Sequence, residues 1–151
     1  MKYLLITFFL LLRIGDGTKD YTSVTGLYQI QIPDTWFVEV TGKWGEQYLK
    51  KGEYKGDFDI DIRSFLKEAD AKASYYELLP TFKNATLTRL NEVEVIICSG
   101  IFEEEQEYNW VFYFGKYEIW CQYKFDPKTL DEAELAEVTK SMESMTFFNI
   151  E

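Results

Sequence analysis

Asp57, Asp59, Asp61 and Glu68 stand at positions 1, 3, 5 and 12 of a calcium-loop spacing. Such a loop needs glycine at its sixth position and polar residues between the acids. This chain has Ile62 at the sixth position, and Phe58 and Ile60 between the acids. The same alternation is the period-2 pattern of a half-buried strand with its acids on the open face. The strand is the better reading, and no metal site is assigned.

Cys98 and Cys121 are the only cysteines. An exported chain with two cysteines invites a disulfide. The expected strand register puts both on one face with a strand between them. Two strand spacings make about 10 Å, and a disulfide needs Cα atoms within about 7 Å. Two buried free thiols are therefore expected.

Glu103, Glu104, Glu105 and Glu107 cluster at an expected hairpin tip. Structurally, such charges solvate a turn and block pairing at a sheet edge. Functionally, they form an acidic knob that would engage a basic protein partner.

Other chemistry is thinly represented. The chain contains no histidine, so a Ser-His-Asp or Cys-His nucleophile cannot be assembled within it. No phosphate-cradling glycine loop or metal-spaced cysteine cluster is present in the sequence. Acids are plentiful, but nothing marks one as the raised-pKa partner of a glycosidase pair. Trp36, Trp44, Trp110 and Trp120 could line a ligand pocket, although such residues more often pack a core or an edge. Asn84-Ala85-Thr86 is a glycosylation sequon, meaningful only in a eukaryotic secretory host.

These residues belong to a chain of 151, enough for one domain with a sizeable core. Hydrophobic residues make up 46%, which argues against disorder. The formal net charge is −10. Phosphate backbones and anionic membranes repel such a charge, so nucleic acid is not an expected partner.

The apolar run Tyr3–Leu12 follows Met1-Lys2 and is ended by Arg13. It is too short for a spanning helix of roughly 20 residues. It fits the apolar region of a secretory signal, so residues 1–17 are expected to be a signal peptide and 18–151 a single domain. Location is then periplasmic or secreted; without cleavage it is cytoplasmic. No integral membrane span is expected after processing.

The elements follow from periodicity. Strands are expected at Tyr21–Val24, Leu27–Ile32, Phe37–Thr41 and Gly45–Lys51, with Pro33 stopping the second. Asp57–Phe65 is the clearest strand. A helix is expected over Lys67–Leu79, with Pro80 beyond it, and an edge strand over Ala85–Leu90. Val93–Phe125 reads as a three-stranded meander. Its first loop lies near Glu104-Glu105-Gln106 and its second is Gly115-Lys116. Pairing Phe102 with Tyr108 and Phe114 with Tyr117 gathers Cys98, Phe102, Trp110, Phe112, Ile119 and Cys121 on one buried face. Leu130–Met145 is the best helix, with Leu135, Val138, Met142 and Met145 as its apolar stripe. Phe147 and Phe148 are expected to pack as the chain closes. The fold class is α+β, a mostly antiparallel sheet with helices packed on it.

Four pieces carry a resemblance: Gly26–Trp36 (G-L-Y-Q-I-Q-I-P-D-T-W), Asp57–Ile62 (D-F-D-I-D-I), the aromatic meander, and a closing helix followed by Met145–Phe148 (M-T-F-F). In this order the chain resembles the PsbP-like superfamily, which includes the photosystem II extrinsic protein, the Ran-binding Mog proteins and bacterial relatives. More narrowly it is similar to small bacterial domains of this fold whose function is unknown. The resemblance covers Tyr21 to Phe148 and implies an α/β/α sandwich. It also implies a protein-binding or assembly role, the common occupation of such domains, including chaperones for secreted effectors. No residue matches a catalytic motif of the family, so no site is carried over.

The expected function is a non-catalytic protein-binding domain. Its sharper form is an immunity-type inhibitor or accessory chaperone for a basic secreted protein. The alternatives are a small-ligand or lipid-binding protein of the cell envelope and a carboxylate-dependent hydrolase. No cofactor is expected.

Overall fold

The computed structural model describes residues 17–50 and 55–149. The apolar run Tyr3–Leu12 lies outside the described residues.

Two antiparallel sheets form the frame. The smaller holds β1 (Thr18–Thr22), β2 (Tyr28–Pro33) and β10 (Thr146–Phe147), in the order β1-β2-β10. The larger holds β3 (Trp36–Val40), β4 (Gly45–Lys50), β5 (Gly56–Ser64), β6 (Thr86–Leu90), β7 (Val93–Phe102), β8 (Glu105–Phe114) and β9 (Tyr117–Phe125). Its order is β3-β4-β5-β9-β8-β7-β6. Helix α1 (Ala71–Leu78) and helix α2 (Glu132–Glu143) complete the chain.

The single sheet expected from the sequence is thus divided. Gly26–Trp36 does not start the main sheet. Its first part is the middle strand of the small one, and Trp36 begins the large one. Alternation along β2 buries Tyr28, Ile30 and Ile32 and turns Gln29 and Gln31 away. That pattern specifies one buried face but not which sheet covers it.

The main core lies between the two sheets. Leu27, Ile30 and Ile32 from the small sheet meet Phe58, Ile60, Phe112, Ile119 and Cys121 from the large one. Val138 and Met142 of α2, with Met145 just beyond it, close the same cluster. Burying each such large side chain contributes about 1.5–3 kcal/mol. A second cluster lies on the opposite face of the large sheet. There Ala71, Phe82 and Ala85 cover Ile96, Cys98, Val111 and Tyr113. The helices therefore sit on opposite faces of the large sheet.

The helix ends are set by capping aspartates. Asp70 Oδ1 accepts from the Ala73 N–H at 3.0 Å, so α1 begins at Ala71 rather than Lys67. Asp131 Oδ1 accepts from the N–H groups of Ala133 and Glu134, each at 3.1 Å, so it caps α2 rather than lying within it. β1 runs Thr18–Thr22, earlier than the expected Tyr21–Val24. Phe147 packs on Phe112 and Phe114, with ring centres 5.2 and 5.4 Å apart, whereas Phe148 is exposed.

The register of the first meander hairpin needs the largest correction. Phe102 lies opposite Glu105, and Tyr108 lies opposite Ser99. Glu103 and Glu104 form a two-residue turn with φ of 51° and 75°. Such turns favour Asn-Gly or Asp-Gly, so two glutamates gave no signal for one. The resulting shift of three residues is odd and turns every β7 side chain to the other face. Cys98 lies opposite Asn109 and packs beneath α1, while Cys121 lies opposite Trp110 in the main core. Both are buried free thiols, as expected, but on opposite faces. The second hairpin has the expected register, with Phe114 opposite Tyr117 and Trp110 opposite Cys121.

Candidate partner-binding hairpin and acidic groove

The β7–β8 turn carries Glu103 and Glu104 at its corners and Glu105 at the start of β8, all exposed. Beside them Ile101 is 70% and Phe102 54% exposed. Phe102, expected on the buried face of the meander, is exposed because the shifted register carries it to the other face at the strand end, and Ile101 was not singled out.

Glu107 does not belong to the exposed knob. It is 6% exposed, and its Oε2 accepts from Gln122 Nε2 at 3.1 Å. Gln122 Nε2 also donates to Asn109 Oδ1 at 3.0 Å, and Trp120 Nε1 donates to the same oxygen at 3.1 Å. The row fixes the Glu107 carboxylate at the floor of a groove of about 340 Å³. Phe82 and Phe102 supply apolar wall, Glu103 and Glu105 stand at the rim, and Lys124 is the one cation in the lining. Burial pushes the nearby Cys98 thiol up to about 11, and Glu107 adds to the shift.

The groove continues an acidic sheet face. Across the ladder, Asp57 lies opposite Lys124 and Lys124 opposite Glu107. Asp59 lies opposite Gln122 in the next row. Phe58, Ile60 and Ile62 point into the core, so Asp57, Asp59 and Asp61 stand together on the other face of β5. Burial raises the Asp59 carboxyl above the ordinary aspartate range, and Asp57 and Asp61 raise it further against the pull of Lys124. The calcium-spaced acids are therefore strand residues that extend the acidic surface of the hairpin. Among the described residues, no group of three or more acidic or cysteine side chains is arranged to hold a metal ion.

An arrangement of this kind can hold a lysine or arginine side chain. Its aliphatic stem would lie against Phe82 and Phe102, with its charged head among the carboxylates.

Comparisons with known proteins address the frame. The sequence matches no family model and no curated protein. Solved structures do match. The solution structure of cyanobacterial PsbP (CyanoP) from Synechocystis sp. PCC 6803 aligns with a TM-score of 0.64 at 13% identity, over 90% of this chain and 96% of that one. The chain has the PsbP-like fold. A crystal structure from Bacteroides thetaiotaomicron VPI-5482 aligns with a TM-score of 0.69, also at 13% identity, over 88% of this chain. The present chain spans 49% of that protein's length.

Within this PsbP-like frame, three further glutamates are buried that sequence reading did not single out. Glu46 accepts from Tyr21 Oη at 3.0 Å, Val24 N at 2.7 Å, Tyr48 Oη at 3.1 Å and Tyr28 Oη. Burial and this carboxylate hold the Tyr28 and Tyr48 hydroxyls well above the ordinary phenol range, so they remain donors. Glu134 accepts from Gly56 N at 2.9 Å and Tyr123 Oη at 2.6 Å, with Lys50 Nζ 3.9 Å away. Glu118 pairs with Arg63 at 3.4 Å. Each ties together strands or a helix far apart in the chain. A polar residue at an inward position of an alternating pattern was the available signal for Glu46, between Gly45 and Tyr48.

The tryptophans divide. Trp36 and Trp110 are buried in the main core, Trp120 belongs to the α1 side, and Trp44 is half-buried beside Tyr117. The Asn84 amide of the sequon is held by Ser99, donating to its Oγ at 2.8 Å and accepting from its N–H at 3.1 Å.

Proposed function

We propose that this chain is a non-catalytic protein-binding domain that engages a basic segment of its partner through the β7–β8 hairpin and the acidic groove beside it. The observation that carries the reading is exposed Phe102 lining the groove with Phe82, Glu103, Glu105 and the buried Glu107, while Ile101 is open on the other face of β7 and Glu104 stands at the turn. An apolar centre within a charged rim is the usual anatomy of a recognition surface. The continuation onto Asp57, Asp59 and Asp61 widens the field that would steer a cationic partner. In its sharper form the partner is a basic secreted protein that the domain neutralises or escorts.

The test is affinity capture from the native host at low and moderate salt, using the natural sequence, a Glu103→Lys/Glu104→Lys/Glu105→Lys variant and Phe102→Ala. The expected result is one specific basic protein, recovered less at higher salt and lost with the charge-reversed variant. Phe102→Ala should weaken it at least about fivefold, the effect of truncating an interface anchor. Recovery of no specific protein, or equal recovery by all three forms, would sink the reading. All four substituted residues are exposed, so melting temperatures should match and expose any folding artefact.

A further inference from the structure

The opposite end of the large sheet has a different character. Thr41–Trp44 joins β3 to β4, Gly115-Lys116 joins β8 to β9, and Phe65–Asp70 leads from β5 to α1. The last is laid on the Gly115-Lys116 turn by Phe65 N donating to Lys116 O and Ala69 N to Gly115 O, both at 2.9 Å. Val24 and Thr25 of the β1–β2 loop complete this end, sharing a shallow cleft of about 390 Å³ with Lys43, Trp44 and Tyr117.

Three properties coincide there. Large apolar side chains project at this end: Leu66 is fully exposed, Val24 is 58% exposed, and Phe65 and the last residue of β3, Val40, are also open. Trp44 and Tyr117 lie between them with ring centres 6.4 Å apart. Lys43 Nζ stands 5.0 Å from the Trp44 ring centre, and Lys116 Nζ stands 5.5 Å from that of Tyr117. Among the described residues, neither lysine forms an ion pair, although the chain has 26 acidic residues. No carboxylate lines the cleft. With Lys67, these loops carry three lysines against Glu68 and Asp70, and Asp70 is engaged as the α1 cap.

We propose that this end docks on an anionic membrane surface. Leu66, Phe65 and Val24 would enter the headgroup–acyl boundary, and Trp44 and Tyr117 would lie at headgroup level, where amphipathic rings are favoured. Lys43, Lys67 and Lys116 would meet the lipid charges. A small ligand in the cleft would leave Leu66 in water; a membrane covers it. Asp61, opposite Gly45, and Glu68 lie near this end, but the hairpin carboxylates do not oppose the contact. The acidic hairpin lies at the other end of the ten-residue β8, about 30 Å away. At physiological salt, fields between exposed charges are screened within about 8 Å. The contact leaves the hairpin facing away from the surface and is independent of whether the hairpin binds a protein.

The experiment is co-sedimentation of the full chain with vesicles of pure phosphatidylcholine and of phosphatidylcholine containing 30% phosphatidylglycerol. The neutral vesicles report whatever Tyr3–Leu12 contributes. Binding should be greater on the anionic vesicles, weaken with added salt, and be accompanied by a blue shift of Trp44 fluorescence that Trp44→Phe removes. Each of Lys43→Glu and Lys116→Glu should lower the anionic increment at least about fivefold, the worth of one lysine near such a surface. Leu66→Asp should lower binding to both vesicles, and Glu103→Lys/Glu104→Lys/Glu105→Lys should leave the increment in place. Equal binding to the two vesicles, or an increment that survives Lys43→Glu/Lys116→Glu, would overturn the proposal. A host protein captured through these loops without any vesicle increment would overturn it too.

Discussion

Glu46 is buried among three tyrosines and a backbone N–H, with four donors on its two carboxylate oxygens. Removing it leaves buried donors short of an acceptor, which costs more than the bonds themselves contribute. Glu46→Ala should lower unfolding stability by about 3 kcal/mol, read as a reduced urea midpoint with an unchanged slope. Asp59 behaves in the opposite sense. Its folded-state pKa is raised by burial, then by Asp57 and Asp61. The folded chain therefore holds this proton more tightly than the unfolded chain, and stability is lost as pH rises through the folded pKa. Asp59→Asn should raise the melting temperature at pH 7, and the gain should vanish below about pH 3, where the carboxyl is protonated in both states. An unchanged difference across that range would refute the assignment. The exposed side of Asp59 could be read from the alternation of β5. The tyrosine cage of Glu46 could not, because its members come from three strands and meet only when the two sheets stack.

At the scale of elements, β5 and β9 approach closely at Gly56. A Cβ placed there would stand 2.6 Å from the Lys124 carbonyl oxygen and 2.5 Å from the Tyr123 ring. Gly56→Ala should destabilise by about 2 kcal/mol through this overlap, and thermal unfolding would show it. The Glu103-Glu104 turn holds two non-glycine residues at positive φ, each at a conformational penalty of about 1 kcal/mol. Replacing the pair with Asn-Gly should raise stability by about 1 kcal/mol, provided the turn has the register described. A loss of stability would instead favour a longer loop. The strands of the second hairpin, the open face of β5 and the apolar stripe of α2 are all legible from periodicity, because each is fixed by local alternation and one buried face. The first hairpin is not. Its apolar residues fit either of two registers, and only the packing of Cys98 beneath α1 and of Val95 in the main core selects one.

Over the whole molecule, the charge is distributed by end and by face. The hairpin and β5 collect carboxylates, while the opposite loops leave Lys43 and Lys116 beside aromatic rings. At about 30 Å the two ends are electrostatically insulated at physiological salt. Glu103→Lys/Glu104→Lys/Glu105→Lys should abolish partner capture and spare vesicle binding, and Lys43→Glu/Lys116→Glu should do the reverse; a crossed effect in either assay would show the ends to be coupled. The sequence by itself determined the α+β class, the strands and helices, the missing histidine chemistry and the sign of the net charge, because composition and periodicity are local properties. It also showed the PsbP-like order of elements, although at 13% identity to the solved structures only the three-dimensional match establishes that frame. The tertiary structure alone decided that Gly26–Trp36 spans two sheets, that Glu107 lies in a groove floor and not on a knob, and that an acidic chain has a lysine-bearing apolar end. Each of these depends on which residues distant in sequence share a face, and that is set by register and by the stacking of layers rather than by any single segment.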